Sequence, residues 1–245
     1  MQKFIIEPDM RKGTTVTITG QDARHISRVL RLSPGDSLSM TDGLGTDCTG
    51  EIINITQTLV QVEITAEQAA GTESPLDLTL CTAMLKHKKM DDIIKQAVQL
   101  GITRWVPFFS GRSVPLSNPK KEVRQVERWQ TIARESLKQC RRSRLVEILP
   151  PMGFEAVLDL TRGATHKIAF WEKSGRSLKE LKTQENTGTV ILIGPEGGFD
   201  ATEIRMAEEK GFRSYSLGPR ILRAETAAVC AAGLVQYILG DLGGA

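Results

Sequence analysis

The sequence has 245 residues, of which 40% are hydrophobic and 25% are charged, a composition typical of globular proteins. No apolar run approaches the ~20 residues that span a bilayer, and the first residues lack the apolar stretch of a signal peptide, so we expect a cytoplasmic protein without a membrane segment. The four cysteines and three histidines lack the spacing of metal ligands, so we expect no bound metal.

The net charge is only +3, but the positive charge is concentrated in two segments. Residues 1–35 carry six Lys/Arg against three Asp/Glu, and residues 84–144 carry fifteen against five. Such concentration in a nearly neutral chain favours a polyanionic partner, above all a nucleic acid. Ordinary solvated helix faces remain the alternative explanation.

The first part of the chain predicts a small β-rich domain over residues 1–70. Strands are expected at 15–18, 37–40, 48–53 and 59–64, where apolar residues alternate and Asp42-Gly43 marks a turn. A polar stretch with Gly and Pro, 66–75, follows as a linker.

One short helix, 22–32, lies between the first two of these strands. Ile26, Val29 and Leu30 have helical spacing and predict its inner face. Three arginines recur at intervals of four and three residues, so we expect them on one face. With the neighbouring histidine, they are candidate phosphate contacts: Arg24, His25, Arg28 and Arg31.

The second domain, 76–245, alternates strand and helix patterns. Strands are predicted at 76–83, 102–109, 145–149, 167–171, 189–193 and 213–217. Helices are predicted near 90–100, at 120–140, from 200 to 210, and at 225–239. The inner side of the helix at 120–140 is expected to contain Val123, Val126, Ile132, Ala133 and Leu137. This alternation predicts an α/β domain with a mostly parallel sheet.

Two strand-to-loop junctions in the second domain contain the residues that indicate a ligand-binding site. The strand 189–193 runs into Gly194-Pro195-Glu196-Gly197-Gly198-Phe199, and Asp200 with Glu203 predicts a capping box for the next helix. Ligands of open α/β sheets bind beyond the carboxyl ends of strands, where glycines let the backbone approach. We expect Gly197 to need backbone angles that exclude β-branched residues. A tight turn without a ligand is the alternative.

The second junction is Leu217-Gly218-Pro219-Arg220-Ile221-Leu222-Arg223-Ala224-Glu225-Thr226-Ala227. A Gly-Pro exit from two successive predicted strands suggests that both loops build one pocket. The arginines could equally be surface charge, and Glu225 could be a carboxylate favoured by the helix dipole.

These two segments, at 192–199 and 217–227, resemble the 16S ribosomal RNA (uracil-N3)-methyltransferase family of the SPOUT superfamily. The resemblance extends to 25–32 with Gly35-Asp36, and to 134–142. It implies an N-terminal PUA-like β-barrel and a C-terminal SPOUT domain with a trefoil knot, S-adenosylmethionine as cofactor, a homodimer, and 16S ribosomal RNA or the small ribosomal subunit as partner.

The resemblance also implies roles for individual residues. Uracil N3 is protonated at neutral pH, so a guanidinium could favour its anion and a carboxylate could accept the proton; Arg223, Glu225 and Glu196 are the candidates. The cofactor residues are expected to be Ile193, Gly194, Pro195, Gly197, Gly198, Leu217, Gly218, Ile221, Leu222 and Thr226, with Trp171 added from sheet geometry. Further RNA contacts are expected from Lys86, Lys88, Lys89 and Arg142.

Two other functions stay open at this point. Other knotted methyltransferases modify the ribose 2′-oxygen. A non-catalytic RNA-binding assembly factor would carry the same basic segments without needing the two loops.

Overall fold

The computed structural model describes residues 3–86, 88–112, 119–181 and 188–244. The chain divides into two compact units. The first ends at Glu73 and also contains Leu137–Leu145, and the second contains the remainder. The sequence predicted two continuous domains, 1–70 and 76–245, and did not foresee the return of Leu137–Leu145 to the first unit.

The first unit is built on one sheet, which has six strands among the described residues, in the order β1-β4-β5-β6-β3-β2. The strands are β1 Phe4–Ile5, β2 Arg11–Lys12, β3 Thr15–Thr19, β4 Ser37–Thr41, β5 Thr46–Ile55 and β6 Leu59–Ala69, and a 3-10 turn lies at Pro8–Met10. Only the β1–β4 pair is parallel in this described sheet. Alternate side chains such as Val16, Ile18, Val60 and Val62 form the core, as their period-2 pattern predicts.

The helix between β3 and β4 is wound in two ways. It begins as α1, Gly20–Arg24, continues as a π-helix over His25–Leu30, and ends at Arg31 with φ 54°. The wider π turn changes which residues face the core. Ile26 is buried, but Val29 is 65% exposed, so the prediction that Val29 faces inward was wrong.

The returning segment is held in the first unit by Glu73. Its carboxylate accepts hydrogen bonds from the Arg142 Nη2 at 2.8 Å, from the Ser143 backbone N at 2.6 Å and from the Arg144 backbone N at 3.1 Å. The Arg142 side chain is only 4% exposed. A buried guanidinium paired in this way has a structural role, which revises the prediction that Arg142 contacts RNA.

The second unit contains a parallel sheet in the order β10-β8-β7-β12-β11-β13, with β9 paired to β8. Its strands are β7 Leu78–Ala83, β8 Arg104–Phe109, β9 Glu147–Ile148, β10 Met152–Gly153, β11 His166–Phe170, β12 Thr189–Ile193 and β13 Arg213–Tyr215. Its helices are α2 Lys89–Gln99, α3 Pro119–Cys140 (whose last four residues belong to the first unit), α4 Phe154–Leu160, α5 Ala201–Glu209 and α6 Ala224–Leu239, and a 3-10 turn lies at Leu178–Glu180. The α/β fold class predicted from the sequence is confirmed.

Aromatic side chains fill the core of the second unit. The rings of Phe108 and Phe199 stack with centroids 6.2 Å apart, and Trp105 meets Trp129 edge to face. Trp129 is fully buried while Val123 is 60% exposed, so the prediction that Val123 faces inward was wrong. The large indole outcompetes the smaller side chain for the core because it buries more apolar area. Within the described residues, no helix is long and apolar enough to cross a membrane.

Candidate active site

A cleft lies where the carboxyl ends of three adjacent strands meet. β11 pairs with both β12 and β13, so the loops that follow these strands converge at one edge of the sheet. The cleft has a volume of about 240 Å³, several times the roughly 30 Å³ that one water occupies, which suits a small organic molecule. Ten of the predicted cofactor residues line it: Trp171, Ile193, Gly194, Pro195, Gly197, Gly198, Leu217, Gly218, Ile221 and Leu222.

The loop after β12 needs glycine at two positions. A Cβ on Gly194 would lie 3.0 Å from the Phe199 Cδ2, closer than side chains normally pack. Gly198 has φ +67°, and a Cβ there would lie 3.1 Å from both carboxylate oxygens of Glu172. Gly197 lies outside the positive-φ region, and its Cβ would meet the Arg112 Cδ at an ordinary 3.5 Å. The prediction that Gly197 needs special backbone angles was therefore wrong; Gly198 has that requirement.

Several hydrogen bonds hold this loop against its neighbours. The Trp171 Nε1 donates to the Phe199 carbonyl oxygen at 3.3 Å, and the Arg112 Nη1 donates to the Gly197 carbonyl oxygen at 3.0 Å. The capping box of α5 forms as predicted: Asp200 accepts from the backbone N–H groups of residues 202 and 203. The hydrogen bond from the Glu203 backbone N–H is the main reason that the pKa of Asp200 lies below its ordinary value.

The loop after β13 closes the other side of the cleft. Gly218 has φ +110°, a conformation that favours glycine. Ile221 lines the cleft although its side chain is 88% exposed. Small side chains of α6, Ala224 and Ala227, form the remaining wall. The predicted Thr226 is exposed and does not line the cleft.

Phe170 and Glu172 line the cleft beside Trp171, at the strand end that sheet geometry had suggested as a third wall. Sequence reasoning did not assign five other lining residues: Phe199, Ser216, Arg220, Ala224 and Ala227. The period of α6 could have indicated the two alanines, since residues three apart share a helix face. The others lie within or beside the two motifs, but their direction depends on loop conformation.

A lysine joins two of the predicted catalytic carboxylates. The Lys89 ammonium forms an ion pair with Glu196, and its Nζ lies 3.3 Å from the Glu225 Oε2. The hydrogen bond with Glu196 is the main cause that raises the pKa of Lys89. Of the two carboxylates, only Glu196 lines the cleft. Lys89, which was predicted to contact RNA phosphates, is thus paired with two carboxylates, and its side chain is 29% exposed.

Arg223, the third predicted catalytic residue, lies immediately before α6. It is the N-cap residue, with φ −63° and ψ 148°, and its side chain is exposed. It does not line the cleft.

The remaining predicted RNA contacts divide between the units. In the first unit, Arg24, Arg28 and Arg31 are exposed and His25 is half-buried. In the second, Lys86 and Lys88 are exposed. No group of three side chains suited to bind a metal ion occurs in the part of the chain that the structure describes.

Comparison with known families defines the class of protein. Residues 72–236 match the RNA methyltransferase domain family, and residues 18–65 match the RNA methyltransferase PUA domain family. The fold and cleft are thus those of an RNA methyltransferase that carries a PUA domain.

Similar proteins narrow this class further. The chain is 31% identical over 231 residues to the ribosomal RNA small subunit methyltransferase E of Buchnera aphidicola subsp. Schizaphis graminum, covering 93% of this chain and 92% of the relative. It is 26% identical over 247 residues to the enzyme of that name from Bacillus subtilis, covering 97% and 96%. This chain belongs to the ribosomal RNA small subunit methyltransferase E family, which confirms the family predicted from the motifs.

Solved structures agree with this family. One is the methyltransferase E of Neisseria gonorrhoeae bound to S-adenosylmethionine, with 29% identity, a TM-score of 0.86, and coverage of 98% of this chain and 99% of that one. Another is a methyltransferase of Legionella pneumophila in complex with the same cofactor, with 26% identity, a TM-score of 0.87 and 98% coverage of both chains. The predicted fold class, a SPOUT domain with a PUA-like domain, is confirmed.

Proposed function

We propose that this protein transfers the methyl group of S-adenosylmethionine to N3 of a specific uridine in 16S ribosomal RNA. The observation that carries the proposal is the cleft at the carboxyl ends of β11, β12 and β13, lined by the two glycine-containing loops. Relatives with the same fold bind this cofactor. We further propose that the protein acts in the cytoplasm as a homodimer.

The residues of the cleft fit S-adenosylmethionine. Ile193, Leu217, Ile221 and Leu222 offer apolar contact for an adenine ring. Glycines of both loops, Gly194, Gly197, Gly198 and Gly218, line the cleft without a side chain to cover their backbone, and backbone N–H and C=O groups fix the orientation of small ligands. The cofactor supplies a methyl group already activated by its sulfonium.

The protein's own residues must manage the proton of uracil N3. As the N3–carbon bond forms, that proton must leave, and we assign its acceptance to the Glu196 carboxylate, which lines the cleft. Lys89 positions Glu196 by its ion pair and links it to Glu225. Arg223 favours the N3 anion by its positive charge without losing a proton itself.

The RNA must present an unpaired base, because N3 lies on the Watson–Crick edge. We propose that Arg24, His25, Arg28 and Arg31 of the first unit and Lys86 and Lys88 of the second contact phosphates. Such contacts position RNA without reading its sequence. The exposure of the arginines and lysines in this set supports this role.

The trefoil knot and the homodimer also belong to the proposal. The strand order supports the knot: β12 lies between β7 and β11, and after β13 the chain returns as α6 to contact β7 and β12. Leu234 and Tyr237 of α6 are 42% and 67% exposed, which supports a partner on that helix.

Product analysis tests the proposed reaction. Small subunits from cells that lack the protein are incubated with purified protein and S-adenosylmethionine, and their nucleosides are separated by mass spectrometry. We expect 3-methyluridine with wild type and a much slower reaction with Glu196→Gln. A 2′-O-methylated nucleoside would contradict the base specificity. The absence of any methylation, together with tight RNA binding, would instead indicate a non-catalytic assembly factor.

A further inference from the structure

Glu172 is a carboxylate of the cleft that no motif singled out. It lies two residues after β11 and lines the cleft beside Trp171. Glu172 and Glu196 are the acidic side chains among the residues that line the cleft. They differ in one respect: Glu196 is paired with Lys89, whereas Glu172 has no hydrogen bond or ion pair to any residue that the structure describes.

The conformation of Gly198 makes the space that Glu172 occupies. An ideal Cβ at Gly198 would lie 3.1 Å from both Glu172 oxygens and 3.3 Å from its Cδ. The carboxylate therefore covers the face of Gly198 where any other residue would place its side chain. Both oxygens lie equally close to this Cβ position.

The position of Glu172 in the sheet indicates what it recognises. Its strand β11 is the parallel neighbour of β12, with Phe170 opposite Ile193 at their carboxyl ends. A glycine-rich loop follows β12, and an acidic residue follows β11. In dinucleotide-binding sheets an acidic residue near the glycine-rich turn binds a ribose hydroxyl. An ionised carboxylate only accepts hydrogen bonds and has two oxygens to do so, which matches the two O–H donors of a ribose cis-diol.

We propose that Glu172 binds the ribose cis-diol of the adenosine part of the cofactor. This assignment rests on the proposed function, because it takes S-adenosylmethionine as the ligand. Glu172 thereby selects a ribonucleoside cofactor, and glycine at position 198 leaves the carboxylate in place, because a Cβ there would lie 3.1 Å from both oxygens and shift them by a few tenths of an ångström.

Calorimetric titration of wild type and Glu172→Gln tests the assignment with three ligands. These are S-adenosylmethionine, 5′-methylthioadenosine, which keeps the diol but lacks the amino acid, and 2′,3′-dideoxy-5′-methylthioadenosine, which lacks both. Hydrogen bonds to a charged group predict that Glu172→Gln weakens binding of the first two ligands by the same factor, about tenfold to a hundredfold. The dideoxy ligand should bind wild type and variant alike. Glu209→Gln, an exposed glutamate at the end of α5, is the matched control.

Each alternative result has a distinct meaning. Equal affinities in wild type and Glu172→Gln contradict the assignment. A loss confined to S-adenosylmethionine also contradicts it, because Glu172 would then bind the ammonium of the methionine part. If the variant does not fold, wild type alone still decides: removing the diol must weaken binding, and unchanged affinity for the dideoxy ligand overturns the assignment. Failure of wild type to bind S-adenosylmethionine contradicts the proposed function itself.

Discussion

Adjacent glycines in the cleft, Gly197 and Gly198, should respond very differently to substitution by alanine. Gly198 has φ +67°, whereas Gly197 lies outside the positive-φ region. A left-handed backbone costs a non-glycine residue roughly 1–2 kcal/mol. Each alanine also lowers the conformational entropy of the unfolded chain, and this effect is about the same in the two variants. That contribution cancels between the two variants, so Gly198→Ala should be about 1–2 kcal/mol less stable than Gly197→Ala.

Thermal unfolding and cofactor titration measure this difference. For a chain of this size, the free-energy difference corresponds to a melting temperature roughly 2–8 °C lower in Gly198→Ala. The new Cβ would lie 3.1 Å from both Glu172 oxygens and shift that carboxylate by a few tenths of an ångström, so affinity for S-adenosylmethionine should fall by up to about tenfold, the cost of losing a charged hydrogen bond. Gly197→Ala should bind nearly as wild type, because its Cβ meets only the Arg112 side chain at ordinary distance. Equal losses in both variants, or none in Gly198→Ala, would refute the reasoning.

Four further predictions concern other parts of the chain. Glu73→Ala should lower the free energy of unfolding by about 3–5 kcal/mol, because it leaves the buried Arg142 charge unpaired. Urea denaturation measures this loss, and a much smaller loss would mean that water solvates the Arg142 guanidinium. Arg28→Ala should reduce the slope of log affinity for single-stranded RNA against log salt by about 0.7 for a lost phosphate contact; an unchanged slope would mean that Arg28 lies only on a solvated face. Arg223→Ala should slow single-turnover methyl transfer far more than it weakens cofactor binding, with partial rescue at higher pH, and a rate loss independent of pH would contradict its electrostatic role. Burial lowers the pKa of His166 from its ordinary value of 6.5. The unfolded state therefore binds the proton at a higher pH than the folded state, and the free energy of unfolding should fall as the pH drops below 6.5. Melting temperatures measured against pH should show this fall in wild type, and it should be smaller in His166→Gln.

Elements that depend on local chemistry could be predicted from the amino-acid sequence alone. The strand Thr189–Ile193 has the predicted bounds, because a short apolar run between turn residues has few alternatives. The capping box of Asp200 and Glu203 forms because its partners are three residues apart. The two glycine-containing loops line one cleft as predicted, because parallel strands end at the same edge of a sheet. α4 was missed although Phe154, Val157 and Leu158 have helical spacing.

Contacts between residues that are far apart in the sequence could not be predicted in this way. The sequence predicted Lys89 and Arg142 as surface charges in basic segments. In the structure, Lys89 forms an ion pair with Glu196 and Arg142 forms one with Glu73, and both partners are distant in the sequence. The difference between Gly197 and Gly198 lies in the positive φ of Gly198 and in its contact with the Glu172 carboxylate, which follows β11. Backbone angles and ion pairs of this kind are set by neighbours that only the folded chain brings together, whereas caps and strand patterns are set within a few residues.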